Sequence, residues 1–417
     1  MFRESTTTII TPRMKRYISW RIHIMAYFSC ASAMEWNSKS EECVPSKWFI
    51  HWNGGVVVYS GFGISALFVY HAYTKIINQN QKNGDFFSTD SIAPIILSLI
   101  ISIFVFMMAT TGSRLIYCSN NVNFLLNQMF RYSIKIEEMM KRKRFSFTGK
   151  QIRSIKYAEY LIIMGVVGST IFPLCYGVFL TSNMEPVHNL VRDWLEVEIS
   201  LDHLPFLVLS SWAATNGGSP MFVVVMVVVL YVWQANICLS SLMISNIIGK
   251  DSDSKFTTIS FGILDELEVI NFFRTQQMFN IFANEIFATV AIAVHQAAGM
   301  VFLVGITYVF ITVPEILFQE GWMTTCFLLG AFGTVWLVIG LECLKLAEFY
   351  ETCGEFVRTS KHFCGRRTPL RKYLNSFPNL SFKTTDPFYT IKKTTFGEFF
   401  CQYLDFLVQL LMSQKYN

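Results

Sequence analysis

Long apolar runs alternate with polar connections along most of the chain. A helix needs about 20 residues to cross a bilayer, and six runs reach that length with few or no charges. They lie at 54–72, 91–111, 157–180, 220–243, 287–313 and 322–343. The pattern therefore predicts six transmembrane helices ahead of the C-terminal segment.

A seventh apolar segment, 396–414, carries a stripe of polar residues. At about 100° per residue, its polar positions fall within roughly 80° of the helix circumference. They are Glu398, Gln402, Asp405, Gln409 and Ser413. Because ionisable groups are costly in a bilayer, Asp405 is expected to face a water-filled cavity or a partner. The stripe predicts a pore-lining helix, and a soluble amphipathic tail helix is the alternative.

Composition and charge support an all-α membrane protein. The 417 residues are 52% hydrophobic and 15% charged, whereas a soluble globular chain is about 25% charged. With the N terminus placed inside, only Lys75, Lys82, Arg192 and Lys415 of the 34 Lys and Arg residues fall outside. Cytoplasmic loops retain positive charge, so a multi-pass protein of the cell membrane is predicted, with its N terminus cytoplasmic and its C terminus extracellular.

The chain divides into four predicted parts. They are a cytoplasmic N-terminal segment (1–51), a six-helix bundle with cytoplasmic helical extensions (52–344), a cytoplasmic loop or anchor (345–394) and the pore-lining helix (395–417). Apolar residues at helical spacing predict that the inner connections form packed helices. Near the N terminus, a signal peptide around 22–28 remains open, although Arg21 and His23 interrupt its apolar core and favour a cytoplasmic or interfacial helix.

No catalytic or metal-binding pattern stands out. The sequence has no Gly-rich phosphate loop, no Cys-x-x-Cys pair and no His pair at metal-ligand spacing. We therefore expect no enzyme activity, no cofactor and no nucleic-acid partner. The basic run 141–144 is expected beside anionic headgroups. Close helix contacts are expected at Gly165, Gly168, Gly330 and Gly333.

The stretch from Tyr403 to Leu410 resembles the closing signature of the insect gustatory receptor family. That signature reads Thr-Tyr, five mostly apolar residues, then Gln-Phe, and Tyr403 and Gln409 keep its spacing. The sequence departs from it at Gln402, at Leu410 and at Asp405, a polar residue among the five apolar places. Seven spans with long inner loops also agree with that family.

The resemblance implies a ligand-gated, nonselective cation channel of sensory neurons. Four subunits, alike or mixed with related receptors, would place helix 7 around a central pore, with membrane lipid, a small-molecule tastant and permeating cations as partners. In that family the cytoplasmic ends of helices 4 to 7 form the intersubunit anchor. A ring of Asp405 would concentrate cations, and Phe406 or Leu410 would close the pore by dewetting. Motif and stripe together name the pore-lining residues as Gln402, Asp405, Phe406, Gln409, Leu410 and Ser413.

Five residues are candidates for a ligand pocket, which the resemblance places in the outer half of the bundle. Tyr176, Tyr308 and Trp322 fall on outer halves or rims, and His295 and Gln296 are polar residues within helix 5. Such pockets combine aromatic walls with a few polar groups. Core packing, interfacial anchoring or interhelical hydrogen bonding explains the same residues.

Several functional alternatives stay open. A secondary transporter would use Glu342, His295 and Asp405 as coupling groups, although neither an internal repeat nor a matching pair of broken helices is found. A metabotropic receptor of reversed topology would need a cytoplasmic partner. A receptor of the odorant branch would need a co-receptor subunit. The sequence leaves the stimulus undetermined.

Overall fold

Most of the described chain is helical. The structure, a computed structural model, describes residues 8–24, 34–83, 89–142, 147–179, 186–196, 203, 226, 229–240, 266–286, 292–312, 322–363, 369–377, 380–383 and 390–415. The helices are α1 Pro12–His23, α2 Trp48–Asn83, α3 Thr89–Tyr117, α4 Ser119–Arg142, α5 Gly149–Phe179, α6 Pro186–Leu195, α7 Val229–Ser240, α8 Glu266–Ala283, α9 Ala293–Thr312, α10 Trp322–Phe363, α11 Pro369–Ser376 and α12 Thr395–Lys415. Two strands, β1 Met34–Asn37 and β2 Glu42–Pro45, complete the described elements.

The two strands form an antiparallel hairpin, which differs from the predicted all-α fold. At the turn, Asn37 Oδ1 accepts hydrogen bonds from the backbone N–H groups of Lys39 and Ser40. Asn127 of α4 then accepts from the Cys43 N–H at 2.8 Å and donates to the Cys43 carbonyl at 2.7 Å. This amide provides the hydrogen bonds that a third strand would otherwise supply.

The N-terminal helix α1 packs into the protein. Ile18 and Ile22 are fully buried, and α1 contacts α5 and the hairpin. Thr11 caps the helix by accepting from the Met14 N–H, and its hydroxyl donates to Glu159 of α5 at 2.7 Å. Of the apolar stretch 22–28, residues 25–28 lie outside the described residues.

The buried hydrophobic residues form one large cluster and two smaller ones. The large cluster, which we name the base cluster, joins α1, the hairpin, α4, α7 and α8 with parts of α5, α10 and α11. The second cluster joins α9, α10 and α12, and the third joins α3, α9 and α10. The helices α4, α8 and α11, which lie between the predicted spans, thus pack in the base cluster together with parts of α5 and α10.

Three described helical segments are long and apolar enough to cross a membrane. They are Ile95–Tyr117, Ala293–Thr312 and Leu328–Lys361. In the predicted fourth crossing, 220–243, the described helix α7 lies in the base cluster, where Tyr231 contacts the rings of Phe349 and Phe382. The count of seven crossings and the orientation of the termini stay predictions.

Close approaches between the helices occur at small residues. An added Cβ at Gly299 would overlap with Ile339 Cδ1, which shows how closely α9 and α10 approach. Between α2 and α3, the hydroxyls of Ser65 and Ser102 are 2.9 Å apart, and Ser102 also donates to the Ser65 carbonyl. Within the described part of the single chain, an added Cβ at Gly168, Gly330 or Gly333 would meet nothing within 4 Å, so the predicted close contacts are wrong there.

Candidate functional site

One face of the C-terminal helix α12 packs against α9 and α10. Phe399, Tyr403 and Leu407 recur every four residues and are buried. The Trp336 ring of α10 lies 5.2 Å from the Tyr403 ring and 6.1 Å from the Phe399 ring, both in edge-on geometry. Edge-on ring contacts stabilise the packing beyond what the burial of apolar surface contributes. This aromatic stripe fixes the rotation of α12 on the bundle.

A hydrogen bond adds to the contact between α12 and α9. The hydroxyls of Tyr403 and Thr307 are 2.8 Å apart, and Tyr403 is buried. Polar pairs of this kind join helices in membranes, where the alternative is an unsatisfied group in hydrocarbon. The Tyr of the predicted motif therefore serves to attach α12 to its own bundle.

The polar stripe of α12 lies on a different face of the helix. Its centre is roughly 120° around the axis from the buried stripe. Gln402, Asp405, Gln409 and Ser413 are all exposed on the single chain, and Phe406 is exposed beside them. The structure thus brings five of the six predicted pore-lining residues to an uncovered surface of α12.

Leu410, the sixth predicted pore residue, has a different environment. It is partly buried and packs against the cluster that joins α9, α10 and α12. The 100° step per residue places it close to the line through Phe399, Tyr403 and Leu407. In this conformation Leu410 therefore contributes to the contact of α12 with its own bundle.

Asp405 has no ion-pair partner within the described part of the chain. The ion pairs found there involve other residues. A carboxylate at the middle of a membrane helix is costly unless it meets water or a partner. If α12 crosses the bilayer as predicted, the exposed Asp405 has to face water or another subunit.

The structure separates the five candidates for a ligand pocket. Tyr308 is buried in the cluster of α9, α10 and α12, whereas His295 and Gln296 lie at the opposite end of α9. Thirteen residues along a helix span about 20 Å. The side chains of Tyr176 and Trp322 lie outside the described residues. His295 and Gln296 are thus not brought together with Tyr308.

A buried polar contact joins three helices at the His295 end of α9. His295 Nδ1 lies 3.4 Å from Glu342 Oε1 of α10, and His295 Nε2 lies 3.4 Å from the Thr111 hydroxyl of α3. The second oxygen of Glu342 is buried without a hydrogen-bond partner. Beside this contact, Gln296 donates to Cys343 Sγ at 3.5 Å. We name Thr111, His295 and Glu342 the polar junction.

Sequence reasoning missed a charged contact between α2 and α6. Asp193 Oδ2 lies 3.0 Å from both His71 Nε2 and Lys75 Nζ. Burial alone would raise the pKa of Asp193, but hydrogen bonds from Lys75 and His71 outweigh burial and hold that pKa below its usual value. The sequence did contain a signal for this contact. Lys75 is one of the few basic residues on the predicted outer side, and a predicted outer connection contains the acid Asp193.

The described residues hold no cluster of three or more His, Cys, Asp and Glu side chains that could bind a metal ion. The polar junction includes one His and one Glu, and its Thr hydroxyl is a weak ligand for transition metals. Its chemistry is therefore that of interhelical hydrogen bonding.

Comparison with known proteins identifies the fold. No protein-family model and no curated protein sequence matches the chain. Among solved structures, the insect olfactory receptor OR5 from Machilis hrabei matches with a TM-score of 0.54 and 13% sequence identity, over 95% of this chain and 98% of that chain. The chain thus shares its overall fold with that protein.

Proposed function

We propose that the chain is a subunit of a gustatory-type chemoreceptor that is itself a ligand-gated, nonselective cation channel. The observation that carries this proposal is the two-sided helix α12. Its aromatic stripe is packed on the bundle, and its polar stripe, with Asp405, is uncovered. The olfactory receptor fold and the spacing from Tyr403 to Gln409 give independent support.

Assembly around the polar stripe explains why the stripe is uncovered on one chain. If four subunits turn these faces toward a common axis, each Asp405 faces water and its desolvation cost falls. The same arrangement forms a ring of four carboxylates, which raises the local concentration of cations. Phe406, one residue away and also exposed, provides an apolar ring that closes the pore by dewetting. Selectivity and gating thus occupy adjacent positions.

A ligand would open this pore by binding the open state better than the closed state. Tyr308 belongs to the cluster that includes Tyr403 and Leu407 of α12. A small molecule that rearranges this cluster acts directly on the helix that carries Asp405 and Phe406. Of the predicted pocket residues with described side chains, Tyr308 therefore has the shortest connection to the pore, and we expect a sugar, bitter compound or odorant to bind on its side of the bundle.

Single-particle imaging of the purified chain in lipid nanodiscs tests the proposal without knowledge of the ligand. We expect a fourfold particle in which Asp405 and Gln409 face the central axis. A monomer whose polar stripe packs against its own bundle would reject the channel and favour a secondary transporter. A fourfold particle with the stripe turned toward lipid would reject the pore assignment alone.

Asp405→Asn tests the carboxylate ring in planar bilayers. With a panel of sugars and bitter compounds as stimuli, we expect the variant to conduct with a reversal potential that shifts toward that of the anion in asymmetric salt. Glu355→Gln is the matched control, because Glu355 is an exposed acid on α10 away from α12, and it should leave the reversal potential unchanged. An unchanged value in both variants would remove Asp405 from the selectivity role.

A receptor of the odorant branch is the second candidate, supported by the fold shared with an olfactory receptor. Such a chain would conduct only beside a co-receptor subunit. Currents that require co-expression of that subunit, together with silence of the purified chain, would favour this branch over the gustatory one.

A further inference from the structure

The outward face of α5 changes in character along its length. Its exposed side chains are first basic, then aromatic and then apolar, at spacings of three and four residues that keep them on one face. Tyr160 is 67% exposed and Met164 is 68% exposed. In chain order the exposed residues are Lys150, Arg153, Lys156, Tyr157, Tyr160, Met164 and Val167.

The basic residues of this face have no acidic partner in the described part of the chain. No ion pair found there includes Lys150, Arg153 or Lys156. Glu159, the nearest acid on α5, is already occupied, because it accepts from the Thr11 hydroxyl and pairs with Arg13 at 3.6 Å. Three positive charges therefore remain available on one stripe of α5.

Neighbouring helices carry the same chemistry beside this face. The Tyr157 ring lies 5.9 Å from the Trp233 ring of α7. Trp233 also contacts α10, where Lys345 Nζ lies 5.0 Å from the Trp233 ring centre. Lys345 lies two residues after the end of the apolar run 322–343. Basic and aromatic groups of α5, α7 and α10 thus meet near Trp233. At this level the outward face of α5 changes to apolar residues, and α10 borders its apolar run.

We propose that this face of α5 is a binding surface for the headgroups of anionic phospholipids. Tyr and Trp concentrate at the level of the headgroups, and basic side chains beside a membrane attract anionic lipid. Met164 and Val167, exposed directly beyond the two Tyr residues, fit acyl chains and not a soluble partner. The proposal goes beyond the channel function and requires only that α5 enters a bilayer.

The full-length chain, purified in nanodiscs of phosphatidylcholine, tests this surface. Labelled phosphatidylserine and labelled phosphatidylcholine serve as energy-transfer acceptors for the tryptophan fluorescence of the protein. We expect preferential transfer to phosphatidylserine, and we expect the triple variant Lys150→Gln, Arg153→Gln, Lys156→Gln to lower that preference by roughly fivefold for each charge removed. The charge-conserving variant Lys150→Arg, Arg153→Lys, Lys156→Arg should retain the preference.

A control variant separates a local surface from net charge. Lys39→Gln, Arg358→Gln and Lys372→Gln remove three exposed positive charges elsewhere on the chain and should leave the lipid preference unchanged. An equal loss in this control, or an unchanged preference in the α5 variant, would overturn the proposal. If the α5 triple variant fails to fold, the single Arg153→Gln variant replaces it. If soluble polyglutamate at physiological salt displaces labelled phosphatidylserine, the lipid proposal is overturned and an acidic protein partner is favoured.

Discussion

Replacement of His295 or Glu342 would loosen the contact between α9 and α10 at the polar junction. His295 Nδ1 and Glu342 Oε1 are 3.4 Å apart, and the two side chains are only 2% and 9% exposed. Removal of His295 leaves Glu342 Oε1 buried without this bond, and removal of Glu342 leaves His295 Nδ1 buried without it, although His295 Nε2 keeps its contact with the Thr111 hydroxyl. Leu at either position matches the apolar surroundings and removes the polar group. The two single variants and the double variant therefore form a cycle that isolates the pair.

The expected magnitudes follow from burial and distance. A buried polar group left without its hydrogen-bond partner costs about 1–3 kcal/mol, so His295→Leu and Glu342→Leu should each lower stability by about that amount. The hydrogen bond itself is long compared with the usual range, which puts its net contribution at about 1 kcal/mol or less. The double variant leaves neither group buried without its partner. Its loss of unfolding free energy should therefore be about 1–3 kcal/mol smaller than the sum of the losses in the two single variants.

Thermal unfolding of the purified chain in detergent micelles, followed by tryptophan fluorescence, measures these differences. His295→Leu combined with Ser102→Ala is the control cycle, because Ser102 bonds to Ser65 of α2 and has no contact with His295. The control pair should be additive within about 0.5 kcal/mol. If the His295 and Glu342 variants are additive to the same degree, the two residues do not act as a pair and the physical reasoning is wrong.

Two further substitutions test contacts of α12 and α6. Tyr403→Phe removes the hydroxyl that bonds to Thr307 and should cost about 1 kcal/mol in thermal unfolding, whereas Tyr59→Phe, at an exposed site, should cost nothing measurable. The folded-state pKa of Asp193 is lowered, so its stabilisation is present above its ordinary pKa and is lost as pH falls through the lowered value. Asp193→Asn should therefore lower the melting temperature at neutral pH, and this difference should shrink as pH falls below the ordinary pKa of an Asp side chain; a pH-independent difference would contradict this origin.

Hydropathy predicted the long helices because membrane burial demands apolar residues over a whole span. It missed the hairpin because strands of four residues carry too little pattern, and because the bonds to Cys43 come from Asn127, 84 residues away. The sequence analysis named His295 and Glu342 together only as coupling groups of a transporter and did not predict their contact. Their pairing depends on the register of α9 and α10, which the close approach of Gly299 to Ile339 determines. Such a register is a property of packing and is not encoded in either segment alone.

The helical period of α12 predicted its polar stripe, which the structure leaves uncovered on the single chain. The motif at Tyr403 was less informative about the surroundings of its last residue. Leu410 lies seven residues after Tyr403, which is close to two helical turns. It therefore shares the buried face of α12 with Tyr403 and packs toward the bundle. Gln409, one residue earlier, lies about 100° away and is exposed. Adjacent motif residues thus face different surroundings because of helix geometry.

The position of α9 suggests how a ligand signal would reach the proposed pore. This helix contacts α3, α10 and α12, and its Thr307 bonds to Tyr403 next to the buried Tyr308. Asp405 and Phe406 follow Tyr403 by two and three residues on the same rigid helix. A displacement of α9 near Tyr308 must therefore either break the bond from Thr307 to Tyr403 or carry α12 with it. In the second case the carboxylate and the apolar ring move together, so that one displacement changes both cation attraction and dewetting.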